Sequence, residues 1–185
     1  MYPKHIRHAV DALRQGGVIA YPTEGVWGLG CDPFNEQAVT RLLHIKQRPE
    51  EKGLILVAAN KRQLGPLLNN LSSSQLVALD KFWPGPVTFL LPDPDQLVPV
   101  WIKGKFATVA VRVSAHPLVN SLCKAWGGPL VSTSANPALL PPASSRLRVL
   151  TWFGDRLDYV VPGRLGGLRG PSTIRDLVSL ETIRA

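Results

Sequence analysis

The fold is decided by the stretch Val18-Ile-Ala-Tyr-Pro-Thr-Glu-Gly-Val-Trp-Gly-Leu-Gly-Cys31. Val18 to Tyr21 is a short apolar run that predicts a buried strand. Pro22 has no backbone donor and is expected to end the pairing, which places Thr23 and Glu24 where the strand ends. We expect the next glycines to adopt positive backbone angles in a loop that approaches a ligand. They are Gly25, Gly28 and Gly30. On this pattern alone, an ordinary strand-to-helix connection fits equally well.

Helical and strand-like patterns alternate on both sides of this stretch. Apolar spacing and capping residues predict helices near residues 6–13, 36–46, 72–83, 117–126 and 147–153. Further strands are predicted at residues 54–58, 87–91, 109–113, 130–136, 159–161, 172–177 and 182–184. We therefore expect one α/β domain over residues 1–185, in which helices flank a twisted, mixed sheet.

The composition excludes several classes of protein. Hydrophobic residues make up 45% and charged residues 18%, as in a globular chain. No apolar run approaches the roughly 20 residues that span a bilayer, and the N-terminus does not resemble a signal peptide. We therefore expect a cytoplasmic protein with no membrane partner. Cys31 and Cys123 lie far apart, and the histidines lack metal-ligand spacing, so no protein-bound metal site is predicted.

The chain has an excess of positive charge. Lysine and arginine number 21 against 13 acidic residues, which gives a net charge of +8. Such an excess indicates a polyanionic partner, either nucleotide phosphates, RNA or both. A basic surface that is merely solvated remains an alternative.

Lys46 and Arg48 are the best candidates for phosphate binding. The chain contains neither G-x-G-x-x-G nor a Walker-type phosphate loop, and it has no G-x-S-x-G elbow. Pro49 favours an extended conformation at Arg48, so both cationic heads can point to one side. A lysine point charge beside an arginine fork suits a triphosphate that undergoes displacement.

Two further strands carry polar side chains at unusual places. Period-two alternation places Arg112 on the opposite face from its valine neighbours, where it either lies in water or pairs with a carboxylate. The same alternation projects Ser132, Ser134 and Asn136 to one side, as a row of hydrogen-bonding groups. A purely structural turn would use the same residue types.

Six motifs occur in a defined order along the chain. They are Tyr21-Pro-Thr-Glu24, Lys46-x-Arg48-Pro, Trp83-Pro-Gly-Pro-Val-Thr88, Val109-Ala-Val-Arg112, Ser132-Thr-Ser-Ala-Asn136 and Pro171-Ser-Thr173. In this order they resemble the YrdC/TsaC family of threonylcarbamoyl-AMP synthases over nearly the whole chain. The resemblance implies a YrdC-like fold with an open, concave, basic face. We expect the short bacterial form, without the linker and extra domain of the long form.

The resemblance also implies an activity. Nucleotidyl transfer would convert L-threonine, bicarbonate and ATP, with Mg²⁺ accompanying the ATP, into threonylcarbamoyl-AMP and pyrophosphate. A partner transferase would then modify an adenosine beside the tRNA anticodon, and direct contact of tRNA with the basic surface is left open. The implied ATP contacts are Lys46, Arg48, Thr108, Ser134, Asn136 and Arg184, with Lys46 and Arg48 also catalytic. The implied threonine contacts are Thr23, Arg112, Ser132 and Ser172.

Two positions depart from the family pattern. Asn136 is followed by Pro137-Ala138-Leu139 where the family usually has one residue and then Ser-Gly, so no nucleotide contact is assigned to this turn. Gly25 stands where a larger residue is usual, which would loosen the loop. The role of Glu24 is left open between orienting the loop and a structural hydrogen bond. The rival hypothesis is a non-catalytic RNA-binding module, which the net charge of +8 also supports.

Overall fold

The computed structural model describes residues 2–184. The α-helices are α1 (Lys4–Arg14), α2 (Glu36–Lys46), α3 (Gly65–Leu68), α4 (Ser73–Asp80), α5 (Val100–Lys103), α6 (Pro117–Trp126) and α7 (Arg146–Phe153). The strands are β1 (Ile19–Pro22), β2 (Trp27–Gly30), β3 (Ile55–Ala58), β4 (Val87–Pro92), β5 (Thr108–Val113), β6 (Leu130–Ser134), β7 (Tyr159–Val160), β8 (Thr173–Asp176) and β9 (Thr182–Arg184). Within residues 2–184, no helix is both long enough and apolar enough to cross a lipid bilayer.

Local capping signals explain where the helices begin and end. The Asn35 side chain accepts a hydrogen bond from the backbone N–H of Ala38 and so caps α2. Ser72 and Gln75 form the capping box predicted for α4, although that helix ends at Asp80 and not near residue 83. Gly127 adopts a left-handed conformation and ends α6. These boundaries confirm the helices that the sequence predicts.

The segment after β1 is a hairpin, and the prediction of a loop there is wrong in part. Residues Trp27–Gly30 form β2, which pairs with β1 in antiparallel register, and Pro22 itself pairs with Trp27. The three glycines do not have positive φ. Close packing instead requires glycine at two of these positions, because a Cβ at Gly25 would lie 2.0 Å from the carbonyl oxygen of Gly170 and a Cβ at Gly30 would lie 2.3 Å from that of Val131.

The strands form a mixed sheet in the order β7-β1-β2-β6-β3-β5-β4-β8-β9. The pairs β1–β7, β3–β5 and β4–β8 are parallel, and the other neighbours are antiparallel. Helices α1 and α6 pack on one face of the sheet, while α2, α4 and α7 pack on the other. The predicted α/β class with flanking helices is therefore confirmed.

The register of the central strands brings four side chains together on the face of the sheet against which α6 packs. Ile55 lies opposite both Ala110 and Ser132, and Leu90 lies opposite Ala110. Residues opposite one another project to the same face, so these side chains form a row across four strands. All four line one cavity.

Candidate active site

A cavity of about 400 Å³ lies over this row of side chains. Eight of the ten residues implied as contacts line it. They are Thr23, Arg48, Thr108, Arg112, Ser132, Ser134, Ser172 and Arg184. The other two, Lys46 and Asn136, are in direct contact with Ser134 and so lie at the same end of β6. Residues spread over 162 positions of the chain, from 23 to 184, are therefore brought together.

Arg112 is buried in the cavity wall and pairs with Glu24. Its side chain is 6% exposed, and its Nη1 donates to Oε2 of Glu24 over 2.6 Å. The sequence left open whether Arg112 lies in water or pairs with a carboxylate, and the structure shows that it pairs with a carboxylate. Its Nε is buried and has no hydrogen-bond partner among residues 2–184. The guanidinium therefore keeps a donor that this part of the chain does not use.

The Glu24 carboxylate is held by three donors. Besides Arg112, Oε1 accepts from Oγ of Ser114 at 2.7 Å and from the backbone N–H of Ala115 at 3.1 Å. Burial alone would raise the pKa of Glu24, but the charge of Arg112 and the hydrogen bonds outweigh it and lower the pKa below its ordinary value. Glu24 is therefore ionised at neutral pH, and it compensates the charge of one arginine.

Lys46, the last residue of α2, connects that helix to the end of β6. Its Nζ donates to the carbonyl oxygen of Ser134, to the carbonyl oxygen of Asn136 and to Oδ1 of Asn136. The Ser134 hydroxyl donates to the same Oδ1 over 2.7 Å. Burial, with a contribution from the charge of Arg48, lowers the pKa of Lys46 to about 8. Since an ammonium has three protons, a phosphate oxygen would have to replace one of these three acceptors.

Arg48 and Arg184 also line the cavity. Their hydrogen-bond acceptors are carbonyl oxygens, which are neutral and do not balance the charge of the arginines. Arg48 donates to the carbonyl oxygens of Lys52 and Gly53, and Arg184 to that of Ser172. Burial, followed by the charge of Arg184, lowers the pKa of Arg48. Burial, followed by the charge of Arg112, lowers that of Arg184. The arginines are therefore close enough to repel one another, and an anion between them would relieve that repulsion.

Hydroxyl groups line further parts of the cavity wall. Thr23 is buried at the β1–β2 turn and donates to the carbonyl oxygen of Val26 over 2.7 Å, which leaves its oxygen able to accept. The hydroxyl of Ser172 lies 2.9 Å from that of Thr88. Thr108 begins β5 at the rim. The positions agree with a hydrogen-bonding lining, and the binding roles implied for these residues stay predictions.

Several residues of the site had no signal in the sequence. The segment 166–170 closes over the cavity because the N–H groups of Gly166 and Leu168 donate to the carbonyl oxygens of Thr23 and Glu24, each over 3.0 Å. A Cβ at Gly25 would lie 2.0 Å from the carbonyl oxygen of Gly170, so glycine is required where a larger side chain was expected. The expected loosening of the loop at Gly25 is therefore wrong, since the backbone of the segment fills that space.

Residues 2–184 contain no group of three or more His, Cys, Asp or Glu side chains placed to hold a metal ion. The one carboxylate among the described lining residues, Glu24, already has three donors. This donor set does not fit a metal that the protein alone would bind.

The mixed sheet with flanking helices defines an α/β protein, and its cavity is lined by cationic side chains that could bind a polyanion. The chain belongs to the Sua5/YciO/YrdC family, since the family model Sua5_yciO_yrdC, described as "Telomere recombination", matches residues 11–185.

Similar proteins carry a common name. A threonylcarbamoyl-AMP synthase of Marinobacter nauticus is 56% identical over 176 residues, which cover 95% of this chain and 93% of the relative. One of Pseudomonas aeruginosa is 57% identical, with 95% and 94% covered. The crystal structure of P. abyssi Sua5 complexed with L-threonine superposes with a TM-score of 0.87 at 32% identity, and covers 95% of this chain. The chain spans 52% of that Sua5 chain.

Proposed function

We propose that the protein is an enzyme that makes threonylcarbamoyl-AMP and pyrophosphate from L-threonine, bicarbonate and ATP. The names of the bacterial relatives, which this chain matches over nearly their full length, support this activity. They do not support the rival hypothesis of a non-catalytic RNA-binding module. The chemistry would be nucleotidyl transfer, because an adenylyl group moves from ATP to an acyl oxygen.

The observation that carries the proposal is the imbalance of charge in the cavity. Arg184 is close enough to Arg48 and to Arg112 for their charges to interact, and the one carboxylate among the described lining residues, Glu24, pairs with Arg112 alone. A polyphosphate supplies the missing negative charge, and arginine binds phosphate oxygens in a fixed, forked geometry. We therefore propose that the nucleotide binds at the part of the cavity that carries Arg48 and Arg184, near Lys46.

We propose that threonine binds beside the nucleotide, against Arg112. The amino-acid carboxylate would accept from the guanidinium donors that Glu24 leaves free. The hydroxyls of Thr23 and Ser132 lie in the same wall and offer hydrogen bonds to the amino acid. The L-threonine complex of the similar P. abyssi protein supports an amino-acid site in this fold.

The reaction needs positioning and charge neutralisation more than a nucleophilic side chain. The threonine amine attacks bicarbonate and forms a carbamate, with loss of one water. A carbamate oxygen then attacks the α-phosphorus of ATP, and the bond to pyrophosphate breaks. Negative charge grows on the leaving pyrophosphate, and the cations Lys46 and Arg48 would stabilise it.

Magnesium would enter with the substrate. The carboxylates of residues 2–184 are not grouped to hold a metal, so we propose that Mg²⁺ is bound by the ATP phosphates.

The partners that would use the product are likewise proposals. The acyl adenylate is an activated carbamoyl donor, and a transferase that delivers the threonylcarbamoyl group to tRNA would consume it, in the cytoplasm.

The proposal predicts threonine-dependent release of pyrophosphate. Purified protein with ATP, Mg²⁺, bicarbonate and L-threonine should release pyrophosphate, and omission of threonine or bicarbonate should reduce the rate to background. A coupled pyrophosphate assay measures this. Release that does not depend on threonine would contradict the proposal, and tight, salt-sensitive RNA binding without any release would favour the rival hypothesis.

A further inference from the structure

Glu24 is the feature of this cavity to which no role has been given. Its side chain is 9% exposed, and the carboxylate accepts hydrogen bonds from Arg112, Ser114 and the backbone N–H of Ala115. Its negative charge nevertheless weakens the attraction of the cavity for anionic ligands. The contact with Arg112 indicates what the carboxylate contributes in return.

We propose that Glu24 is a positioning residue, which holds the Arg112 guanidinium in the orientation that receives the carboxylate of the amino-acid substrate. The inference rests on the proposed function, because it takes threonine as the ligand of Arg112. Glu24 itself does not touch the substrate in this proposal. It acts by holding the guanidinium of Arg112 in one orientation through Nη1.

The hydrogen bonds of the pair define that edge. Glu24 occupies Nη1 of Arg112, at 2.6 Å, whereas Nε is buried without a partner among residues 2–184. A guanidinium presents Nε and Nη2 together as a fork that matches the two oxygens of a carboxylate. A buried donor without an acceptor is costly, and a ligand oxygen that reached Nε would remove that cost. Because Glu24 holds Nη1, the edge formed by Nε and Nη2 is the one left for a ligand carboxylate, and the buried Nε would have to become accessible when the ligand binds.

The backbone of Glu24 is anchored independently of its side chain. Its carbonyl oxygen accepts from the N–H of Leu168, and that of Thr23 accepts from the N–H of Gly166, each over 3.0 Å. Loss of the carboxylate alone would leave these contacts in place. A change in the side chain therefore tests the orientation of Arg112 and not the closure of the segment over the cavity.

Glutamine cannot replace the carboxylate in this setting. Three donors converge on Glu24, and a glutamine side chain offers one acceptor oxygen and an amino group that only donates. In either orientation the amide nitrogen faces a donor, from Arg112 or from the Ser114–Ala115 side. The guanidinium is then no longer held in one place.

Asp93 provides a matched control. It is also a buried carboxylate with three donors, namely Nζ of Lys103 at 2.8 Å and the backbone N–H groups of Leu97 at 2.8 Å and Val98 at 3.1 Å. It has no contact with Arg112. Its partner Lys103 also lines the cavity, so Asp93→Asn removes a comparable buried charge from a second ion pair of the wall while the Arg112–Glu24 pair stays intact.

Calorimetric titration with L-threonine and with L-threoninamide, which lacks the carboxylate, tests the proposal. The wild-type protein should prefer threonine. Glu24→Gln should weaken threonine binding by about tenfold or more and change threoninamide binding by less than about twofold, so that the preference is lost. Glu24→Asp, which keeps the charge, should fall between Glu24→Gln and wild type. Asp93→Asn should keep the full preference for threonine even if its melting temperature falls.

Several outcomes would overturn the proposal. One is a folded Glu24→Gln protein that still prefers threonine as the wild type does, and another is equal loss of preference in Asp93→Asn. If circular dichroism shows Glu24→Gln unfolded, Glu24→Asp decides, and unchanged affinity for threonine overturns the proposal. Wild-type protein that binds threonine with this dependence on Glu24 but releases no pyrophosphate overturns the proposed function alone. Wild-type protein that binds no threonine overturns both.

Discussion

Lys46→Ala is expected to lower threonine-dependent pyrophosphate release by about 100-fold or more, because it removes a cation that stabilises the leaving group. The change also releases both ends of the Ser134–Asn136 turn, whose carbonyl oxygens accept from Nζ. We expect the fold to persist, because burial already disfavours the charged lysine and lowers its pKa to about 8. Steady-state rates with saturating threonine, beside a thermal unfolding curve, measure the effect.

Lys61→Ala is the control for the loss of a lysine. Lys61 forms an ion pair with the exposed Asp80. Lys61 is not among the residues that line the cavity. Its replacement should leave the rate within about twofold of wild type, since exposed ion pairs contribute little. A folded Lys46→Ala protein with wild-type activity would contradict the phosphate role of Lys46.

Arg112→Ala is expected to raise the KM for threonine by roughly 30-fold, which corresponds to about 2 kcal/mol for a buried charged pair. The KM for ATP should change much less, because the phosphates are placed near Arg48 and Lys46. Initial rates with each substrate varied in turn separate the two effects.

The same change leaves Glu24 buried without its partner. Loss of one member of a buried ion pair commonly costs about 3–5 kcal/mol of stability, so thermal unfolding must accompany the kinetics. Arg112→Lys keeps the charge but not the fork, and it should recover stability more fully than threonine affinity. A folded Arg112→Ala protein with unchanged threonine dependence would refute the role of Arg112.

Elements with a local signal were predicted well from the sequence. Asn35, the Ser72–Gln75 pair and Pro117 each mark a helix start by a side chain that acts within one turn. Strand alternation likewise placed Arg112 on the face opposite its valine neighbours, and the structure confirms it. Eight of the ten candidate residues line one cavity because the resemblance carried information that periodicity alone does not contain.

Features that depend on distant partners were not predicted. β2 contains two glycines and pairs with β6 as well as with β1, so its strand character comes from its neighbours. The partner of Arg112 remained open because Glu24 is 88 residues away in the chain. The need for glycine at position 25 depends on Gly170, which lies on the segment that closes over the cavity.

A crystal structure with L-threonine and a non-hydrolysable ATP analogue tests the central claim most directly, namely that one cavity binds an amino acid at one end and a triphosphate at the other. We expect the threonine carboxylate on Arg112, beside Thr23, and the phosphates within hydrogen-bonding distance of Arg48 and Lys46. Threonine bound away from Arg112, or phosphates bound outside this cavity, would contradict the account.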